Sequence, residues 1–295
     1  MKQQNNYNGI IPIMKEAGYT SNDIVAKLRG ILHMRKIGHT GTLDPDATGV
    51  LPVCLGKGTK LVGLLTDTDK EYLCSAKLGI TTDTEDISGT VTSESDFSEV
   101  TESRLLEVMH SFIGDYDQIP PMYSAKKING RKLYELAREG KVIERQVCPV
   151  KINSLKLLSF ENGEYSFLVG CSKGTYIRSL CRDIGEKLGC GSTMLSLVRT
   201  KAGGFTKDEA ITLAECEELE KSGEISGYIK SLDSVFSEYA EYTADEMIEK
   251  KIRNGNSFNT RLKNGRYRVY LTDGTFAAVY EVEDRTAKIC GYFLT

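Results

Sequence analysis

Asp44 and Asp46 stand two apart in residues 38–49, which read Gly-His-Thr-Gly-Thr-Leu-Asp-Pro-Asp-Ala-Thr-Gly. Three chemistries compete for this stretch. Glycines let backbone N–H groups approach an anion, so a phosphate cradle is the first. A Walker loop, however, needs four residues between its glycines and then Gly-Lys-Ser/Thr, whereas Gly49 and Gly56 have six between them and Lys57 precedes Gly58. The second is an aspartyl-phosphate nucleophile, since Asp44-x-Asp46-x-Thr48 matches the spacing of two carboxylates working beside Mg²⁺. That motif should leave a buried apolar strand, yet Asp44 follows the polar run at 35–42. The third is a lone carboxylate nucleophile on a stiff loop, with φ fixed by Pro45, an unusual path permitted by the glycines, and loose backbone groups satisfied by Thr42 and Thr48. Such a carboxylate must stay ionised in a desolvated cleft and therefore needs a guanidinium partner. The non-catalytic counterpart is an aspartate that shapes a turn beside Pro45.

The elements that must position this loop are legible on either side of it. Residues 9–13 read as a strand, and Thr20 or Ser21 can cap a helix with Ile24, Val25, Leu28 and Leu32 at helical spacing. From 33 to 49 the periodicity stops, which predicts a loop. Alternation of Tyr72, Cys74, Ala76 and Leu78 predicts a strand over 71–78, and residues 101–113 an amphipathic helix. A basic helix is expected at 130–139, closed by Gly140, then strands at 150–158 and 165–171 and a helix at 175–188 ended by Gly189. Three strands at 267–271, 276–282 and 287–293, the first two joined through Asp273-Gly274, predict a small β-rich tail. Irregular alternation of strands and helices predicts a mixed α+β fold rather than a regular βαβ winding.

Length and composition bound the rest. The 295 residues suit two domains or one with an appendage, and 40% hydrophobic with 27% charged residues is globular. Apolar stretches such as 49–56 and 61–65 are far short of a membrane span, and no signal peptide is evident at the start of the chain. The eight cysteines are scattered without a C-x-x-C pair, and we expect reduced thiols in a cytoplasmic protein. His33, His39 and His110 are not in zinc spacing, so no metal site is expected. The net charge of −3 hides a segregation. Residues 126–145 hold seven basic and three acidic side chains, 250–268 hold seven basic and no acidic ones, and 214–249 hold eleven acidic and two basic. Two basic segments point to a polyanion surface, although solvated helix faces also cluster in this way.

Residues 38–51, Gly-His-Thr-Gly-Thr-Leu-Asp-Pro-x-Ala-Thr-Gly-Val-Leu, resemble the signature loop of the bacterial tRNA pseudouridine synthase B (TruB) family. Lys70-x-Tyr72 followed by Leu78-Gly79-x-x-Thr82-Asp83-Thr84 resembles its second motif, and residues 118–125, Gln-Ile-Pro-Pro-Met-Tyr-Ser-Ala, its third. Residues 171–178, Cys-Ser-Lys-Gly-Thr-Tyr-Ile-Arg, running into Gly-Glu-Lys-Leu-Gly at 185–189, resemble its fourth. The resemblance runs in family order from about 8 to 203. It implies isomerisation of the uridine at position 55 in the T loop of tRNA, without cofactor or metal, by a cytoplasmic monomer. It further implies a pseudouridine synthase fold, a mainly antiparallel central sheet with flanking helices, over residues 1–236. A basic insertion at about 124–150 would grip the T arm, and 237–295 would form a PUA-like RNA-binding domain. Carried over residue by residue, the resemblance makes Asp44 the nucleophile and Arg178 its ion-pair partner. Tyr72 would stack on the flipped uracil and serve as a proton acceptor, Leu197 would pack on the far side of the base, and His39 would fill space vacated in the RNA stack. Lys15 and Lys127 are implied as further substrate-binding residues. One departure stands out. The family's Lys-Pro-x-Gly-x-Thr-Ser turn, usually with an acidic residue before the lysine, reads Met-Lys-Glu-Ala-Gly-Tyr-Thr-Ser at 14–21, so the stiffness a proline would lend is missing.

Overall fold

The computed structural model describes residues 5–124, 126–128, 130–140 and 143–294. The chain opens with β1 (Gly9–Lys15), α1 (Ser21–Ile31), β2 (Ile37–His39) and β3 (Thr48–Leu55), followed by α2 (Val62–Thr66), β4 (Lys70–Leu78) and the hairpin β5 (Ile80–Thr82) and β6 (Val91–Glu94). Then come α3 (Glu102–His110), β7 (Gly114–Gln118), β8 (Lys127–Ile128), β9 (Arg131–Lys132), α4 (Leu133–Arg138), β10 (Cys148–Glu161) and β11 (Glu164–Cys171). After α5 (Ile177–Leu188), β12 (Ser192–Ala202), β13 (Phe205–Thr206) and α6 (Leu213–Ser222), the tail contains β14 (Ala240–Thr243), α7 (Glu246–Arg253), β15 (Phe258–Asn259), β16 (Gly265–Tyr270), β17 (Phe276–Glu283) and β18 (Thr286–Tyr292).

Among the described residues nine strands form one sheet in the order β1-β3-β12-β4-β11-β10-β7, with β2 on β3 and β13 on β12. Its pairings are antiparallel except β3 with β12, which makes the fold α+β with a mainly antiparallel sheet, as expected. Strand β3 is apolar throughout because both its faces are covered. Leu51, Val53 and Leu55 meet Ile24, Leu28 and Cys216 of α1 and α6, while Val50 and Cys54 meet Leu61, Leu65 and Phe205. Two buried faces produce a continuous apolar run rather than alternation. On the other half of the sheet, Cys74 and Ala76 of β4 and Phe167 of β11 pack under α3 and α5 through Leu105, Met109, Leu180 and Ile184.

Several elements differ from expectation for local reasons. The predicted loop at 33–49 contains β2, which adds to β3 through Gly38 and His39. The expected basic helix is only Leu133–Arg138, because Arg131–Lys132 instead pairs with Lys127–Ile128, and Gly130 takes φ 83°. Helix α5 starts at Ile177 rather than 175. The buried Gln118 amide brackets Tyr176, accepting from its N–H (2.8 Å) and donating to its carbonyl (2.9 Å). Its C-terminal end is the expected Gly189, φ 84°. In the tail, β14-β16-β17-β18-β15 form a second sheet, and the Asp273-Gly274 turn joins β16 and β17. All eight thiols are free, and among the described residues no helix is long and apolar enough to cross a membrane.

Candidate active site

Asp44 lies on a loop whose carbonyls are taken up one by one from below. Lys15, with no exposed surface at the end of β1, donates to the carbonyls of Glu16 (3.1 Å), Pro45 (2.8 Å) and Ala47 (2.6 Å). The Gly18 N–H also meets the Pro45 carbonyl (3.0 Å), so the turn that lacks the proline is tied to the loop by hydrogen bonds. Ser21, at the start of α1, accepts from the Leu43 N–H at 2.9 Å. Arg199 of β12 donates to the carbonyls of Gly41 (3.3 Å) and Val50 (2.8 Å). Lys15, Ser21 and Arg199 thus fix the loop, rather than Thr42 and Thr48. Leu43 and Ala47 anchor it in the core. Gly49 has no alternative: at φ 112° a Cβ would lie 2.2 Å from the Arg199 carbonyl, where β3 meets β12.

Sheet register then assembles the remaining groups. Arg199 pairs directly with Tyr72 of β4 on one side and with Gly49 of β3 on the other, and Leu197 lies two residues back on the same face of β12. Arg178 comes from the first turn of α5 and is 5% exposed; its Nη2 meets Asp44 Oδ2 at 3.0 Å. The same nitrogen donates to the Tyr123 carbonyl (2.8 Å), while Nη1 donates to the Thr84 carbonyl (3.1 Å) and lies 3.5 Å from Asp86. A guanidinium held by two carbonyls and a second carboxylate cannot rotate away, so its direction toward Asp44 is fixed.

Asp44, Tyr72, Arg178, Leu197 and Arg199 line one cleft of about 790 Å³, with Lys70, Lys126 and Lys173 on its walls. Although 43% of the Asp44 side chain is open to the cleft, it stands at the floor. This burial pushes its carboxyl up from the usual aspartate range, opposed by Arg178, helped by Asp86 and opposed again by Lys15. Burial likewise raises the Tyr72 phenol, with Arg199 pulling the other way, so the ring enters the cleft neutral at ordinary pH. Lys15 and Lys70 are pulled down to about 8, chiefly by burial. His39, on β2, is lowered by burial and by Arg199, and its Nδ1 is buried without a hydrogen-bond partner. An ion pair beside a neutral aromatic ring and an aliphatic side chain suits a flat, weakly polar base. The carboxylate can attack or support a developing cation, and the ring and Leu197 can sandwich the base.

Of the residues singled out in the sequence, Asp44, Tyr72, Arg178 and Leu197 come together in the cleft. Lys15 does not reach its surface, so it serves a substrate only through the loop it holds. Lys127 pairs through its backbone with Lys132, and its side chain lies outside what the structure describes. Asp86 and Arg199 were missed. Asp86 falls two residues beyond the last position of the second motif. A lone arginine in an apolar strand reads as exposed, because arginine is almost never fully buried unless paired.

Residues 29–177 match the model of the TruB family pseudouridylate synthase N-terminal domain, and residues 178–237 that of the tRNA pseudouridylate synthase B C-terminal domain. The chain is similar to tRNA pseudouridine synthase B of Clostridium perfringens strain 13, 44% identical over 292 residues, covering 96% of this chain and 97% of the relative. It is also similar to the protein of that name from Lachnoclostridium phytofermentans, 47% identical over 296 residues, covering 94% and 96%. Among solved structures, an H/ACA RNP bound to a substrate RNA containing 2′-deoxyuridine shares the fold with TM-score 0.73 at 23% identity, covering 97% of this chain and 85% of the other. A Cbf5-Nop10-Gar1 complex aligns with TM-score 0.73 at 25% identity, covering 97% and 84%.

Proposed function

The chain belongs to the TruB family of pseudouridylate synthases, and from that premise we propose that it isomerises the uridine at position 55 in the T loop of tRNA, using Asp44 as nucleophile and no cofactor. The observation that carries this reading is the Arg178–Asp44 pair at 3.0 Å on the floor of a cleft that Tyr72 and Leu197 also line.

A uridine within folded RNA hides its glycosidic bond, so the base must leave the stack. Sandwiching it between the Tyr72 ring and Leu197 offsets part of the unstacking cost. Asp44 then assists cleavage of N1–C1′, the uracil turns, and C5–C1′ forms; C5 loses its proton and N1 gains one. Product and substrate are isomers, so the atoms balance without a hydride, phosphate or metal. Arg178 keeps the carboxylate ionised and aimed. Tyr72 accepts a proton only if its raised phenol is relieved, and Arg199 is the neighbour able to stabilise the phenolate. Lys126 and Lys173, on the walls of the cleft, are placed to meet the phosphates beside the flipped nucleotide. The tRNA substrate supports a cytoplasmic location.

The direct test follows tritium released from tRNA carrying uridine labelled at C5, in EDTA, for the wild type and Asp44→Asn in parallel. One tritium per tRNA from the wild type and none from the variant is expected. Bound tRNA without release from either protein would leave an RNA-binding role instead.

A further inference from the structure

The turn after β5 presents three consecutive residues to one face of α5. The Thr84 carbonyl and the Asp86 carboxylate hold Arg178, whereas Glu85 between them takes the next positions along the helix. It accepts from Ser179 at 2.8 Å and pairs with Arg182. Glu85 adopts φ 64°, a left-handed conformation uncommon for residues other than glycine. Its carbonyl is fixed by the Met194 N–H of β12, the strand that carries Leu197 (3.2 Å). The reaction described above makes no use of this side chain.

The Glu85 carboxylate, 9% exposed, is also met by Arg145 at 3.7 Å. Both of its guanidinium partners reach back to one short stretch of backbone. Arg182 donates to the Ile119 carbonyl (3.1 Å) and Arg145 to the Pro120 carbonyl (3.0 Å). Residues 119 and 120 lead into the basic insertion, and Arg145 lies at its far end, so both ends are tied to a single carboxylate. Three residues beyond Pro120, the Tyr123 carbonyl receives the same Arg178 nitrogen that meets Asp44.

We propose that Glu85 is a positioning residue that couples the seating of tRNA on the basic insertion to the alignment of Arg178 with Asp44. The inference rests on the function proposed above. Glu85 faces Arg145 from the end of the insertion and Arg182 from α5, and Arg182 is shared with Asp183 of the same helix, 2.6 Å away. Losing the Glu85 charge therefore leaves Arg182 with a counter-ion and Arg145 without one among the described residues. The lesion falls on the insertion and passes through Tyr123 to Arg178. Asp44 in turn faces Arg178 from α5, Asp86 from the turn and Lys15 from β1, so Arg178 is the neighbour through which the change reaches it.

The test uses the full-length protein with Glu85→Gln, Arg145→Met and both together. Single-turnover tritium release at saturating tRNA is followed across pH, with tRNA Kd and Tm. Each single change is expected to slow release about tenfold and the pair no further, with Kd moving less than about threefold. The acid limb should move to higher pH, because a displaced Arg178 favours the carboxylate less. Lower Tm or weaker binding with an unmoved rate and acid limb would make Glu85 a structural residue only and overturn the proposal. Wild type and Asp44→Asn, run alongside, separate this failure from failure of the functional reading. If the wild type itself releases nothing, the Asp44 carboxyl, titrated by ¹³C NMR in aspartate-labelled protein, still decides. A midpoint raised by Glu85→Gln upholds the coupling, and an unmoved one refutes it.

Discussion

Asp44 is pulled in two directions. Burial on the cleft floor favours its protonated form, and Arg178 at 3.0 Å favours the carboxylate. Burial prevails, so the carboxyl titrates above the ordinary aspartate value of about 3.9. The active form is the carboxylate, so activity is present above the raised pKa and lost as pH falls through it. The acid limb of kcat should therefore lie above about pH 4, and a pH–rate profile that stays flat down to pH 4 would contradict the assignment. Asp44→Asn keeps the shape and removes the charge. Turnover should fall by at least about 10³ while tRNA Kd changes little, measured by tritium release and filter binding.

At the scale of elements, the loop depends on β1 and on the β3–β12 junction. Lys15→Met leaves the buried Ala47 carbonyl without the ammonium, at about 1–3 kcal/mol, and also removes its bonds to the exposed Glu16 carbonyl and to the Pro45 carbonyl, which keeps the Gly18 N–H. We expect a fall in kcat with tRNA affinity nearly intact, because the lysine is buried beneath the loop. The same ammonium shapes the pH dependence of stability. Its pKa is about 8 in the fold and about 10.4 unfolded. The charged form burdens the folded state fully below about pH 8, and the burden lifts as pH rises toward 10.4. Denaturant titrations should show wild-type stability gaining relative to Lys15→Met across that window. Gly49→Ala places a Cβ 2.2 Å from the Arg199 carbonyl at a φ of 112°. It should cost at least about 3 kcal/mol in urea unfolding, since neither strand can yield without opening the parallel pairing.

The whole molecule shares one apolar cluster between body and tail. Phe236, Phe276, Val279 and Phe293 pack with Ile10, Val50, Leu61 and Leu65, and Lys57 donates to the Leu294 carbonyl at 2.7 Å. Cutting after Ser237 would bare that cluster behind β1 and β3, so truncation tests stability as well as RNA binding. Charge removal on α7 is cleaner. Lys250→Gln with Lys251→Gln should reduce the slope of log affinity against log salt by about 1–2 while saturated turnover stays the same. An unchanged slope would place the tail's basic face away from the RNA.

By itself the sequence determined the α+β character, the tail strands and their Asp273-Gly274 turn, the loop bearing Asp44 and the alternation that turns Tyr72 inward. Each of these is written in neighbouring residues, as turn chemistry or as a period of two. Strand β12 was not legible because bulges near Ser196 and Arg199 break its alternation. Strand β3 was not, because it is buried on both faces. Spacing did not place Arg178 against Asp44, which only the family resemblance named, and tertiary structure alone decided that Asp86 also meets Arg178, that Arg199 pairs with Tyr72 and that Glu85 gathers Arg145 and Arg182. Residue type and spacing report one face of one element, whereas an ion pair between distant segments is set by packing and register.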